Sequence, residues 1–185
     1  ILKNPDSSIA FKAYYKTLMF QTDIRLLENI KVIAGLQVID PQKSSIYEAP
    51  RLSIVNKYGD NWGSKLMYGK AYSSPTGVEF AIDVAGLFEP TDSLRPTTSE
   101  SYDIQFFYKD NKTYTALNFF ESKYKDIVEL TPVTPGTSLP LVYTNNSVVT
   151  YRGFEIEGKH QINKNLKFLG SYSYQVSKDQ NDEVN

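Results

Sequence analysis

The sequence predicts an all-β fold: antiparallel up-and-down hairpins, about eight strands, forming a segment of a transmembrane β-barrel. Three observations predict it. Apolar and polar residues alternate with the period of 2 of an extended strand, over arms longer than the usual run of about five or six residues. Tyrosines lie near arm ends, as they do where a strand leaves a bilayer. Long connections also alternate with tight turns, the pattern of outer-membrane barrels with long outside loops and short periplasmic turns.

The clearest pair of arms lies within residues 94–128. Tyr102, Ile104, Phe106 and Tyr108 fall on one side, and Asp103, Gln105 and Lys109 on the other. Asp110, Asn111 and Lys112 supply turn chemistry, and a second run, 113–124, returns to end in Lys125, Asp126, Ile127 and Val128. A tilted strand of about 9–11 residues is what a membrane crossing requires.

Taken in order, Asn4, Pro5 and Asp6 read as loop, and from Ser8 the residues Ile9, Phe11, Ala13 and Tyr15 alternate with Ala10, Lys12, Tyr14 and Lys16. That strand continues through Met19, Phe20 and Gln21 to Leu26, with a bulge where the alternation shifts near Thr17 and Leu18. Leu27, Glu28 and Asn29 turn the chain. Over 30–40, Val32, Ala34, Leu36 and Val38 share one face, Lys31, Gly35 and Gln37 the other, and the β-branched residues disfavour a helix. Residues 40–49 read as a connection. Pro50 to Val55 open another strand, which turns at Tyr58, Gly59, Asp60 and Asn61 and returns over 64–72. Residues 73–99, broken by Pro75, Gly77, Gly86, Pro90 and Pro96, form the longest irregular stretch, and connections of that length are commonly functional. Residues 131–146, with Pro132, Pro135, Gly136 and Pro140, read as a second long loop. Strands over 149–161 and 166–174 follow, joined at Asn163, Lys164 and Asn165.

Composition narrows the function classes. With 20 basic residues against 21 acidic, a net charge of −1 and no segregated blocks, there is no electrostatic footprint for nucleic acid. No apolar run reaches the length of a transmembrane helix, a test that barrel strands escape because polar residues alternate along them. The absence of cysteine removes disulfides, thiolate metal sites and cysteine nucleophiles. The chain opens at Ile1 without Met or a leader and closes on a polar run, 178–185, and so reads as a piece of a longer protein.

Several motifs together resemble the C-terminal barrel portion of TonB-dependent outer-membrane receptors. They are Ala49-Pro50-Arg51, then Lys65 to Tyr72 with Pro75, then Leu94, Arg95, Pro96, Thr98, Ser99 and Glu100. Phe120 and Tyr124 to Ile127 follow, then Tyr143 and Asn145, Gly153 to Glu157, and Gly170 to Tyr174. Their order spans residues 20–174. Thr97 departs from the family pattern, which more often has Glu there.

The resemblance implies that residues 1–185 are a partial barrel of about eight strands out of 22, lacking the plug and the remaining strands. It implies a receptor in the bacterial outer membrane that imports a scarce ligand such as a ferric siderophore, haem or cobalamin. The energy would come from an inner-membrane complex, engaged through the absent N-terminal region. Partners would be the transported ligand and outer-membrane lipid. No cofactor and no enzyme activity are expected.

The side chains that chemistry could use read mostly as wall. Glu155 and Glu157, two apart on one strand, read as lumen-facing charges, and His160, the single histidine, as an interfacial polar residue without a metal-ligand set. Ser99 and Ser101 lack an activating base. Gly35, Gly69, Gly153 and Gly170 sit singly in strands and mark close packing or bulges. Tyr72, Tyr102, Tyr108, Tyr151, Tyr172 and Tyr174 read as an aromatic girdle. Ligand contact is expected in the long loops, at Glu79, Arg95, Tyr143, Asn145 and Arg152. The competing reading is a soluble β-sandwich carbohydrate-binding module that stacks sugars on its tyrosines. It requires two inward apolar faces, whereas a barrel wall requires one apolar face toward lipid and one polar face toward the lumen.

Overall fold

A computed structural model describes residues 14–41 and 46–179. They form one nine-stranded sheet. The strands are β1 (Tyr15–Arg25), β2 (Ile30–Pro41), β3 (Tyr47–Tyr58), β4 (Trp62–Ser73), β5 (Phe88–Glu89), β6 (Thr97–Lys109), β7 (Thr113–Pro132), β8 (Leu141–Gln161) and β9 (Lys167–Lys178), with one short helix, α1 (Gly77–Ala81). The eight long strands lie side by side in chain order, each antiparallel to the next. Two-residue β5 instead runs parallel to the start of β8, at Phe88↔Leu141 and Glu89↔Val142, above the point where β9 stops.

The registers align the side chains into continuous rows. One row passes through every long strand: Ile24, Val32, Ile54, Leu66, Ile104, Phe119, Phe154 and Tyr174, each directly opposite the next. The row on the short-turn side of it includes Phe106, Leu117, Ile156 and Tyr172, and beyond that stand Tyr58, Trp62 and Tyr108. Because side chains alternate faces, all of these share one apolar face. Among the described residues nothing covers it. Phe20 is 67% exposed, Phe106 50% and Tyr172 58%, and the buried hydrophobic residues among those described are only Ile39, Leu94 and Ala116.

The opposite face carries rows such as Arg25, Lys31, Val55, Lys65, Gln105, Asn118, Glu155 and Ser173. It is polar, with aromatic rings packed against glycines at two points. Phe107 lies over Gly63, where any Cβ would collide with its ring, and it stands opposite Ala116. The Lys65 ammonium sits 5.4 Å from the centroid of that ring. Gly153 makes room in the same way for Phe120 and for the backbone of Tyr174.

One sheet with a bare apolar face and a polar face has the pattern of a membrane-barrel wall, and among the described residues there is no second sheet of the kind the β-sandwich reading needs. Other expectations are corrected in detail. Residues 8–13, where the first strand is expected to begin, lie outside the described residues. The bulge expected near Thr17 and Leu18 is absent, because β1 and β2 pair without a shift from Tyr15↔Pro41 to Arg25↔Lys31. The broken alternation there has another cause. Met19 is on the polar face, where its sulfur lies 3.5 Å from Nη2 of Arg51.

β6 begins at Thr97, so the irregular stretch is shorter than expected and contains α1 and β5. The loop expected over 131–146 is mostly strand: β7 and β8 stay paired up to Pro132↔Leu141, leaving 133–140 as the tip. The prolines mislead here because they stand at the end of the ladder, where a missing N–H costs little.

The girdle reading also divides. Tyr102 and Tyr108 are on the apolar face, and Tyr172 and Tyr174 are on it in the middle of the band, where both rings meet Phe154 at 6.0 and 5.8 Å between centroids. Tyr151 is on the polar face, edge-on to Tyr124 at 5.6 Å.

The turns are closed locally. Asp110 accepts the backbone N–H groups of Lys112 at 2.8 Å and Thr113 at 2.7 Å and the Tyr108 hydroxyl at 2.9 Å. These bonds, the Lys112 N–H foremost, hold its carboxyl below the usual carboxylate range. A lowered folded-state pKa contributes stability above the ordinary carboxylate range, and that contribution is lost as pH falls through the lowered value. Asp110→Asn is therefore expected to destabilise the β6–β7 hairpin at pH 7, with the gap to wild type closing in acid. Denaturant titrations at the two pH values read this directly.

A second expected outcome concerns the apolar row. Phe154→Arg should cost about 2–4 kcal/mol of folding stability in lipid, because the charge would sit near the middle of the bilayer. Gln105→Arg on the polar face should cost far less. Folding yield into phosphatidylcholine vesicles, measured against urea, compares the two.

Candidate functional site

The long connections all emerge at one end of the sheet and the short turns at the other, so the candidate site is the long-connection end. There β7 and β8 outrun their neighbours. Pairing of β6 with β7 stops at Thr98↔Lys125, while β7 and β8 continue through Ile127↔Ser147 to their tip as an arm joined only by β5. The register shifts between wall and arm. At the shift Asp126 has φ 55°, the left-handed region that Asp tolerates better than most residues because its short polar side chain bonds locally.

Four residues fix this joint. Asn145 of β8 accepts the backbone N–H of Arg95 through Oδ1 at 2.6 Å, and its Nδ2 donates to the carbonyls of Arg95 at 2.8 Å and Asp126 at 2.7 Å. Arg95 donates through Nε and Nη2 to Asp126 Oδ1 at 3.0 and 2.5 Å. The Thr97 hydroxyl donates to the Asp126 carbonyl at 3.0 Å. The Asp126 carbonyl, at the interruption of the ladder, is thus satisfied by two side chains. Leu94 and Pro96, on either side of Arg95, are buried.

The connection that Arg95 ends is itself ordered against the arm. In α1, Glu79 accepts both the backbone N–H and the hydroxyl of Thr76, at 2.5 and 3.0 Å, a capping arrangement that holds the first turn. A tight turn follows, with Gly86 at φ 76°, and the Leu87 carbonyl accepts the Leu141 N–H at 2.8 Å, which seats β5 on the arm. Along the arm Ser147 donates to Glu129 at 2.5 Å, and the hydroxyls of Thr131 and Thr144 lie 3.2 Å apart.

Of the five residues expected to contact ligand, the structure brings Arg95 and Asn145 together as the clasp and gives Glu79 to the helix cap. Tyr143, Asn145 and Arg152 stand within β8 rather than in a loop. Tyr143 is half-buried in the arm, opposite Leu130. Arg152 is lower, on the apolar-face series at its outer edge, and its Nε donates to Glu121 at 2.7 Å.

Asp126 and Thr97 complete the clasp; the sequence marked one as part of a family motif and the other as a departure from it, and neither as a site residue. The signal available was the loss of alternation at Asp126-Ile127-Val128. Among the described residues no group of three His, Cys, Asp or Glu side chains could hold a metal ion. His160 lies beside a short turn with Nδ1 2.9 Å from Thr113 Oγ1, and Ser173 donates to Glu155 at 3.4 Å on the polar face.

Asn145→Ala removes three bonds, freeing the backbone N–H and carbonyl of Arg95 while Thr97 still donates to the Asp126 carbonyl, at a local cost of about 1–3 kcal/mol. Amide hydrogen exchange is expected to rise at Arg95 and through 86–96 while the β3–β4 hairpin keeps its protection.

Residues 3–185 match the family described as TonB dependent receptor-like, beta-barrel. No curated protein matches the chain. Among solved structures, the siderophore receptor PirA from Pseudomonas aeruginosa superposes with a TM-score of 0.80 at 18% identity, over 94% of this chain and 34% of that one. The alcaligin outer-membrane receptor FauA from Bordetella pertussis gives 0.67 at 16% identity, over 92% and 31%. The ferripyoverdine receptor of Pseudomonas aeruginosa gives 0.68 at 14% identity, over 94% and 24%. The chain thus spans about a third or less of the length of each of these proteins.

Proposed function

The chain belongs to the TonB-dependent receptor-like β-barrel family of the bacterial outer membrane, and on that premise we propose that it builds part of the wall and outer mouth of a ferric-siderophore importer. The observation that carries this reading is the pairing of a family match along nearly the whole chain with a sheet that has one bare apolar face and one polar face. The cargo is argued from the similar solved structures, which are siderophore receptors. Haem and cobalamin, which the family resemblance also admits, have no such support.

In this reading the chain does no bond chemistry. The eight long strands hold the wall, with the apolar rows against lipid and the polar face toward the lumen, where a plug from the N-terminal part of the receptor would sit and couple to the inner-membrane energy-transducing complex. The outer end gathers cargo. The 74–96 connection, with Glu79 bracing its helix, and the arm bearing Tyr143 form the surface a ligand meets first. Arg95 and Asn145 set the angle of that surface to the wall. Arg152, paired to Glu121 on the lipid side, is assigned no role toward the cargo.

The test is uptake of radiolabelled iron by a strain lacking its own siderophore receptors and expressing the receptor that contains this chain. At least one ferric siderophore should be taken up in a saturable manner, and a protonophore should stop uptake without preventing surface binding. Replacing residues 76–93 by a Gly/Ser linker should weaken binding by about tenfold or more, since a disordered loop pays its ordering entropy on binding. Transport of haem or cobalamin with no ferric siderophore would overturn the cargo assignment.

A further inference from the structure

The ladder between β3 and β4 ends before the strands do. Its last pair is Arg51↔Gly69, yet β3 runs on to Tyr47 against β2 and β4 runs on to Ser73 against β6. The cause is Pro50. The Lys57 N–H donates to the Asn29 carbonyl on the β2 side, so odd positions of β3 bond to β2 and even positions to β4. Pro50 is therefore next in line to exchange bonds with Lys70, and it has no N–H to give. Beyond it Glu48 and Tyr72 face each other with no ladder between them, and the wall forks.

Two aromatic rings close the fork. Tyr47 belongs to the polar-face series of β3 and Tyr72 to the apolar-face series of β4, and neither strand shifts register against its other neighbour. The rings nevertheless stack, with centroids 5.3 Å apart and planes 25° apart. Side chains from opposite faces meet in this way across an open seam. A cavity of about 450 Å³ lies at the same point. Glu48, Lys70 and Tyr72 line it from the apolar-face series, Tyr47 and Ala71 from the polar-face series. A groove in one face of an intact sheet is lined from that face alone.

The seam offers main chain. At Glu48 and Tyr72 the facing edges of β3 and β4 turn backbone donors and acceptors toward each other, the groups by which an extended amide chain adds to a sheet edge. Such groups need partners wherever lipid reaches them. On the apolar face Leu36, opposite Pro50, and Leu52, two residues below it, are 39% and 42% exposed and carry apolar surface up to the fork. Glu48 and Lys70, one of each charge, are exposed at its rim.

We propose that the seam between β3 and β4 is a side entrance in the wall for an acylated, peptide-linked ferric siderophore. The amide linker lies along Glu48 and Tyr72, the acyl chain stays in lipid on Pro50, Leu36 and Leu52, and the iron-bearing head is on the polar side. Tyr47 swings off Tyr72 to admit the linker. A cargo without a tail arrives from water and has no use for this path, whereas a tailed one keeps its hydrocarbon in lipid throughout. The place of the head rests on the siderophore reading. The seam and its preference for an acylated amide do not.

The test uses the full receptor in phosphatidylcholine nanodiscs and four photoreactive probes: an acylated ferric hydroxamate peptide, the same ferric peptide without its tail, the acylated peptide without iron-binding groups, and the free fatty acid. Crosslinks are mapped by mass spectrometry. Both acylated peptides should attach within residues 46–48 and 70–72, and the tail-less peptide and the fatty acid should not. The pair E48C/Y72C occupies facing positions, about 5.5 Å apart between Cα atoms in a closed ladder and within disulfide reach. Oxidised, it should lower the yield of those crosslinks by about tenfold or more, and reduction should restore them. Ala71→Trp, which fills the cavity without a disulfide, should lower them as well.

Crosslinking of the acylated peptides elsewhere, or unchanged by both closures, would overturn the proposal. So would equal labelling of the seam by the fatty acid, the mark of a lipid groove, or by the tail-less peptide. Iron-dependent retention of the ferric peptides reports separately on the siderophore reading, because the iron-free acylated peptide tests the seam without it.

Discussion

Everything in this chain depends on the antiparallel hydrogen-bond ladder. Inside hydrocarbon no water is available to a backbone N–H or carbonyl, so a strand can cross only if its neighbours pair with it along its length. Seven consecutive pairings meet that demand here, and all but one run without a register shift. Once register is fixed, so is every side chain's face, because a slip of one residue would turn the whole apolar set inward. The continuous row from Ile24 to Tyr174 is the visible result. It also explains why so few side chains are buried. The solvent for the apolar face is lipid, and the sheet has little need of a protein core.

The one interrupted pairing is where the chain stops being wall. At Asp126 the ladder shifts, its carbonyl is taken up by the side chains of Thr97 and Asn145, and its carboxylate is held by Arg95, from two other parts of the sequence. The same few bonds therefore do two things. They end the membrane-spanning register, and they tie the return of the long connection to the base of the arm, so that α1, β5 and the arm behave as one outer structure.

Much of the wall was legible in the sequence. Alternation in 102–108 and 32–38, with turn residues at 110–112, is imposed directly by the difference between lipid and lumen, and it survives in a single sequence. The tight turns are legible for a similar reason, since Gly59 and Asp110 have few substitutes there. Three things were not legible. In β1 an apolar Met19 on the polar face imitates a bulge, because a flexible thioether is tolerated in either setting. Above the membrane both faces of β7 and β8 meet water, so Glu129 and Thr131 alternate with Val128 and Leu130 without a lipid band to give them meaning, and prolines at the strand ends suggest a loop. The clasp joins residues 31 and 50 positions apart. No periodicity links such positions, although Arg95 and Asn145 drew attention as polar residues beside the long connections.

The joint at Asp126 makes the outer structure separable from what carries it. Below it, any inserted residue would shift a face and spoil a crossing. Above it, the arm meets the rest of the chain at Asn145, bonded to Arg95 and Asp126, and at Leu141 and Val142, where β5 joins it. In a chain built this way the arm beyond Val128 and Asn145 can vary while Arg95, Asp126 and Asn145 keep the joint and the registers of the strands below it stay as they are.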